Sequence, residues 1–367
     1  MPSHSSSASP QYPWPGSARR WGGSASLQAA VAPWSLFTTL TALAGGFAGL
    51  FVTRVFVGVG KAGSNPAIQS LIAARFSPER RSGALSIALA GGYLGITLGL
   101  ALGGLLVERL GWRGAFLGVG APGPALAPLA WLTLREPPGL APRDGASLKD
   151  LLPVLRRAAF LNLFALVALL SISGYGLLAW APAFYMWEYG MSATAVGAWL
   201  GLALGGGTIV GGLIGGVLGD WFNRAGPGKG LSFVFWAMLV STPIGLGPFI
   251  THSLYVSLGL LLAATVVGTA IVAPLYAALH DLVEPHLRAS AFAMLSLGVL
   301  VVGQGLGPVM VGAISDLARL LNGEETLRNA LLAVSMLTVL TIPIAHWLQR
   351  AYRREIAPEV APQRAVL

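Results

Sequence analysis

Apolar residues run through this chain in long blocks, separated by short polar connections that hold most of the charge. A window of about 20 residues, the helix length needed to cross ~30 Å of hydrocarbon, picks out ten blocks. They fall at 25–45, 47–73, 83–107, 113–134, 159–184, 193–218, 230–250, 253–278, 289–315 and 327–349. The pattern predicts ten membrane-crossing helices. One long polar, Pro-rich connection, 135–158, separates four helices (25–134) from six (159–349). Residues 1–24 are polar and Ser/Pro/Gly-rich and lack the apolar core of a signal peptide. They read as a disordered segment or a wrongly assigned start, and 350–367 as a cytoplasmic tail.

Composition agrees with a bilayer. Hydrophobic residues make up 54% of the chain and charged residues 10%, against about 25% charged in soluble domains. Mean hydropathy is +0.70. The 49 Gly and 24 Pro suit polytopic helices. With no Cys, disulfides and thiolate-held metals are excluded. The net charge of +9 does not point to nucleic acid, because the basic residues lie in short loops. Numbering those loops alternately puts 17 basic residues on one side and four (Arg109, Arg113, Arg319, Arg328) on the other. The heavier side holds both termini and the long loop, and it is therefore cytoplasmic. A multi-pass protein of the cell (inner) membrane is expected.

Two basic side chains, and no acidic one, interrupt the blocks away from their ends: Arg54 and Lys61. Seven residues at about 100° each is close to two turns, so both share one helix face, with Asn65 a further turn along. Charges in hydrocarbon face a bundle interior or a water-filled cavity. Such a face suits a path for an anionic solute. Asn65 and Gln69 extend the polar stripe, and Tyr175 and Gln304, with Tyr276, are further candidates for a cavity wall.

Glycine spacing speaks to helix packing. Gly91, Gly95, Gly99 and Gly103 form one four-residue ladder, and Gly207, Gly211, Gly215 and Gly219 a second. Small residues let helices approach closely in lipid, and the two ladders are expected to be interfaces that slide or rock. There is also an internal repeat. Arg81 begins a Gly-rich block closing on Gly104-x-x-x-Glu108, and Arg288 begins another closing on Gly312-x-x-x-Asp316. Repeats of this kind mark transporter halves related by pseudo-symmetry.

These residues resemble a known family. Arg54-x-x-x-Gly58-x-Gly60 is similar to the fourth-span motif of the major facilitator superfamily, and the 91–103 ladder with Gly104 is similar to its fifth-span motif. Gly111-Trp112-Arg113-Gly114-Ala115-Phe116 resembles the start of span six. Gly216-x-x-x-Asp220 with Arg224 resembles the second-half loop motif. RVFVGVGKAG, GQGLGP and GAISD look nearest to the spinster-like branch, with organic-anion and anion:cation symporters as close competitors. The resemblance implies an all-α major facilitator fold in which this chain supplies spans three to twelve and lacks the first two. It also implies gating roles for Gly216, Asp220, Arg224, Gly312 and Asp316. Where that branch usually carries a Glu, this chain has Lys61, so a proton-coupling carboxylate is not carried over.

The implied function is secondary active transport of a small organic solute by alternating access, coupled to H+ or Na+. The competing expectation is a truncated, non-transporting membrane remnant or interaction protein. Partners are a small-molecule substrate and the lipid bilayer, without nucleic acid, cofactor or metal. His280, Asp281, Glu284 and His286 have ligand types, but they fall in a solvated loop. No His-Glu-x-x-His, Gly-x-Ser-x-Gly or phosphate loop is present, so no enzyme and no ATP-driven pump is expected.

The charge asymmetry gives a direct test. A single Cys placed at position 146, in this naturally Cys-free chain, should resist an impermeant thiol reagent applied to intact cells. Labelling from outside would reverse the orientation.

Overall fold

The computed structural model describes residues 33–62, 78–123, 148–224, 228–284, 287–322 and 327–355, with a few isolated positions between them. Every regular element among the described residues is helical. Hydrocarbon favours this, because a helix pairs its backbone N–H and C=O groups within its own segment where no water can satisfy them. The helices are α1 (33–40), α2 (Phe47–Ala62), α3 (Pro78–Gly120), α4 (Leu148–Leu155) and α5 (Ala158–Tyr189). There follow α6 (Ala193–Phe222), α7 (Lys229–Ile250), α8 (Leu254–Leu282), α9 (Ser290–Leu321) and α10 (Leu327–Glu355). Seven of the described helices are long and apolar enough to cross a membrane: the Ala90–Gly120 part of α3, and α5 to α10. The expected second block is described only as far as α2, whose apolar stretch Phe47–Val59 is shorter.

The expected boundary between the third and fourth spans falls inside α3. Gly111 alone leaves helical geometry there, with φ 67° and ψ 175°. A residue with a Cβ is strained at that φ, so glycine is what lets two helices meet at a single residue. Gly190, at φ 64°, ends α5 in the same left-handed region, and its N–H caps the Tyr185 carbonyl. Ser192 then starts α6 by accepting from the Ala195 N–H at 3.3 Å, an ordinary N-cap.

The chain divides into two compact units. One holds the described residues up to Gly92 and those of 105–143; the other holds Tyr93–Gly104 and the described residues from 148 onward. In the first, α1 and α2 are joined by stacked Phe37 and Phe56, 4.4 Å between ring centres. The second has two apolar clusters along its length. Phe160, Leu163, Leu279, Leu282 and Tyr352 belong to one; Phe184, Tyr185, Leu200, Phe249 and Leu331 belong to the other. Its outer surface is apolar too, with Leu213, Val217 and Tyr255 exposed, as a lipid-facing wall requires.

The two glycine ladders part company here. Along the 207–219 ladder each glycine is pressed against α8. A Cβ on Gly215 would overlap the backbone of Ala270, and one on Gly211 would overlap that of Val266. By contrast, a Cβ on Gly91, Gly95, Gly99 or Gly103 would have no described atom within 4 Å. Near this ladder, the α3 residues that do approach another helix are Thr97, Leu100 and Gly104, on a different face. They meet Gly197, Gly201 and Gly205 of α6, a third four-residue ladder. A Cβ on Gly201 would lie 2.7 Å from the Thr97 carbonyl oxygen. The close crossing expected of the first ladder therefore belongs to Gly104 and α6.

Gly215→Ala should destabilise the protein by about 1–3 kcal/mol, the usual cost of overpacking against backbone. Gly95→Ala should be neutral or slightly stabilising, because alanine is the better helix former. Thermal unfolding of the two variants in detergent checks the contrast.

Candidate functional site

The second unit forms an open cavity of about 440 Å³, within the range of small-molecule sites. Its walls come from α5, α6, α7, α8 and α10, with Val299 of α9 and Ile96 of α3. Most of the wall is aliphatic, and among the described residues no Lys, Arg, His, Asp or Glu contributes to it. Gly174 and Gly268 keep it open, since a Cβ on either would meet nothing within 4 Å.

Ten hydroxyl groups interrupt the aliphatic wall. Helical Ser and Thr can return their proton to the carbonyl one turn back, and most of these do. Ser171 donates to Val167 O at 2.7 Å, Thr265 to Leu261 O at 2.8 Å and Thr269 to Thr265 O at 2.8 Å. Thr208 donates to Leu204 O at 2.5 Å and Thr338 to Ser335 O at 2.6 Å. Ser173 reaches across to Val334 O of α10 at 3.0 Å. Ser241 and Thr242 sit at a long 3.5 Å from Met238 O and Thr338 O. Tyr276 and Ser335 donate to no described residue.

Two helices bordering the cavity are irregular. α6 passes through a π-helical stretch at Gly201–Gly206 and α9 through another at Val299–Leu306. Such bulges loosen the regular ladder and recur at functional sites. Each lies on a close helix crossing: the first on Thr97, the second on α5, where Gly303 meets Ser171 and the Tyr175 ring.

The sequence candidates fall in different places. Arg54 is in the first unit, where its Nη2 donates to the buried Thr41 hydroxyl at 2.8 Å and its guanidinium lies 4.7 Å from the centre of the Phe116 ring. Thr41 donates in turn to Phe37 O at 2.8 Å. Arg54 thus ties α2 to the turn after α1 and to α3. Lys61 lies near the end of α2, and its side chain is outside the described residues, as are Asn65 and Gln69. The Tyr175 ring rests on Gly303 and is not part of the cavity wall, whereas Tyr276 is. Gln304 is exposed and also off the wall. Asp220 and Asp316 are exposed at helix ends, and Gly216 has open space beside it. The Arg224 side chain is outside the described residues. Gly312 packs against Trp180, whose indole N–H donates to Pro308 O at 2.9 Å. Among the described residues no group of three His, Asp or Glu could hold a metal. Asp281 instead accepts from the Tyr352 hydroxyl at 2.7 Å.

One polar cluster escaped the sequence reading. Arg328, at the start of α10, pairs with Glu188 at 2.6 Å and donates to Phe249 O at 3.1 Å and Thr251 O at 2.8 Å. Tyr189 also donates to Thr251 O, at 3.1 Å. The cluster fastens the ends of α5, α7 and α10. Glu188 and Arg328 lie 140 residues apart, so no local motif joins them.

Comparison with known proteins sets these features in context. Residues 11–308 match the family model described as Major Facilitator Superfamily. A protein of Mycolicibacterium smegmatis described as an MFS-type efflux pump is 36% identical over 336 residues, covering 89% of this chain and 77% of that protein. Probable anion transporter 4, chloroplastic, of Oryza sativa subsp. japonica is 37% identical over 108 residues, 29% of this chain and 18% of that protein. In fold the chain is similar to a bacterial homolog of the human lysosomal transporter Spinster in an inward-facing, unoccupied conformation. The TM-score is 0.77 at 24% identity, over 92% of this chain and 85% of that one.

The Arg54 geometry predicts that Arg54→Lys, which keeps the charge, still costs about 1–2 kcal/mol. The bond to Thr41 and the guanidinium's stacking on Phe116 are both lost. Thermal unfolding reads this directly, and an unchanged midpoint would reduce Arg54 to a surface charge.

Proposed function

The chain belongs to the major facilitator superfamily, and on that premise we propose that it is a secondary active transporter exporting a small organic solute by alternating access. The observation that carries this reading is the cavity of the second unit. It is large enough for a drug-sized molecule, walled by helices from most of the unit, and bordered by two π-helical stretches where those helices can bend. The direction follows the Mycolicibacterium smegmatis relative, described as an efflux pump. In this reading the chain is two bundles, 25–134 and 159–349, joined by a cytoplasmic loop at 135–158 in the cell (inner) membrane. Both termini are cytoplasmic, and the Arg328–Glu188 cluster then closes the outer side. Gly216 with Asp220 and Arg224, and Gly312 with Asp316, brace helix ends in one conformation and release them in the other. The coupling ion is H+ or Na+.

A second reading, in which the solute is an anion, rests on Arg54 and Lys61 sharing one face of α2. The partial matches to plant anion transporters favour it, and the uncharged wall of the second unit does not.

Inside-out vesicles carrying this chain should accumulate a lipophilic fluorescent dye when a proton or sodium gradient is imposed, and release it when an ionophore collapses that gradient. Accumulation that ignores both gradients would sink the coupled-transport reading. Lys61→Glu separates the two solute classes. At ~6 Å and an effective dielectric near 20, reversing one charge changes its interaction with an anion by roughly 5–6 kcal/mol. A quarter of that surviving costs about tenfold in affinity. Anion transport unaffected by the exchange would end the second reading and leave the first intact.

A further inference from the structure

We infer that the cavity of the second unit selects ligands that donate hydrogen bonds, accepting an apolar organic amine or amide and rejecting a carboxylate of the same shape. The inference rests on the transport reading for the ligand's passage; its capture depends on the wall alone.

A Ser or Thr hydroxyl has one proton and two lone pairs. At Ser171, Ser173, Thr208, Thr265, Thr269 and Thr338 the proton is already given to a backbone carbonyl at 2.5–3.0 Å. Each then has only lone pairs left to offer a ligand. These oxygens sit in a wall that is otherwise mostly aliphatic and, among the described residues, carries no cationic side chain. An N–H entering this space gains acceptors. A carboxylate meets oxygen against oxygen and loses its hydration without replacement, which in apolar surroundings is costly. It could recover donors only from Tyr276 and Ser335, or by pulling the weakly held protons of Ser241 and Thr242 from their carbonyls at 3.5 Å. An ammonium finds no carboxylate partner among the described wall residues either, but its three N–H groups can each donate to one of these hydroxyl lone pairs.

The exposed ladder of α3, the Arg328 cluster and the side chains around His280 are all weaker candidates for ligand capture. The ladder shows no cover, the Arg328 guanidinium spends four of its five N–H groups on Glu188 and two carbonyls, and Asp281 is taken by Tyr352. The cavity combines volume with unused hydrogen-bonding capacity.

Three probes with one apolar body test the inference by equilibrium binding to the full chain in neutral-lipid nanodiscs. They are 2-(1-naphthyl)ethylammonium, 2-(1-naphthyl)ethanol and 1-naphthylacetate. Affinity should fall in that order, with the ammonium at least tenfold tighter than the acetate. Thr265→Val with Thr269→Val, which removes two acceptors and keeps their shape, should weaken the ammonium about three- to tenfold and leave the acetate unchanged. Thr265→Ser, which restores an acceptor, should bind as the parent does and controls for folding. Gly268→Leu should abolish binding of all three probes by filling the cavity. Equal or tighter binding of the acetate, an ammonium affinity indifferent to the double Val change, or Gly268→Leu binding as the parent would each overturn the inference. Vesicles that bind the ammonium but never move it would instead overturn the transport reading alone.

Discussion

In hydrocarbon no water is available to satisfy a polar group, and much of this structure follows from that single constraint. It makes every described element helical. It also decides what a serine or threonine can do inside the bundle. With a carbonyl one turn back within reach, the hydroxyl proton is spent internally, as Thr208, Thr265 and Thr269 spend theirs. The same requirement governs the charged groups. Arg328 gathers Glu188 and two helix-terminal carbonyls, and Arg54 finds the Thr41 hydroxyl and an aromatic face. The acceptor-rich cavity is thus a by-product of keeping the helices satisfied, with hydroxyl oxygens left over where the wall opens.

Because lipid is as apolar as a leucine side chain, burial alone does little to draw one helix to another, and shape has to do more. α6 shows this on two faces. Gly207, Gly211, Gly215 and Gly219 seat it against α8, while Gly197, Gly201 and Gly205 bring it onto Thr97 and Leu100 of α3. Both are contacts with backbone, and neither has room for a methyl group at its tightest points. A helix gripped in this way on two sides can only yield where its own hydrogen-bond ladder is loose, and the π-helical stretch at Gly201–Gly206 is such a place.

The helical frame was legible from hydropathy and from punctuation. The six blocks read between 159 and 349 correspond in position to α5 through α10, and Gly111 breaks α3 where the apolar pattern changes blocks. The family was legible because its motifs are local: Gly111 to Phe116 and Gly216 to Asp220 can be recognised without knowing what they touch. Partnership was not legible. A ladder such as Gly91–Gly103 states that a helix could be approached closely, without saying that anything does so. The α3 crossing uses Thr97, Leu100 and Gly104, of which only the glycine looks like a packing residue. The Gly197–Gly205 ladder has three members against four in its neighbour, so its spacing is the weaker signal. Tyr175 and Tyr276 are both aromatic residues in apolar runs, and only the rotation of each helix about its axis separates the wall residue from the packing residue. Charge drew attention to Arg54 and Lys61, yet the described cavity is built of uncharged hydroxyls, which composition spreads through the whole chain.

The two π-helical stretches give the last link between packing and function. One lies in α6 and the other in α9, so two helices that border the cavity have a locally irregular backbone ladder. Each is pinned at a glycine crossing, Gly205 on Thr97 and Gly303 on Ser171. Ser171 is at once a cavity hydroxyl and the residue on which α9 rests. A displacement of α9 along α5 would therefore shift a wall group, and a ligand bonded to that group would bias the position of α9. Such reciprocity is what a coupling free energy between ligand and conformation means. It needs no charged switch, only a ligand whose hydrogen bonds differ between the two helix positions.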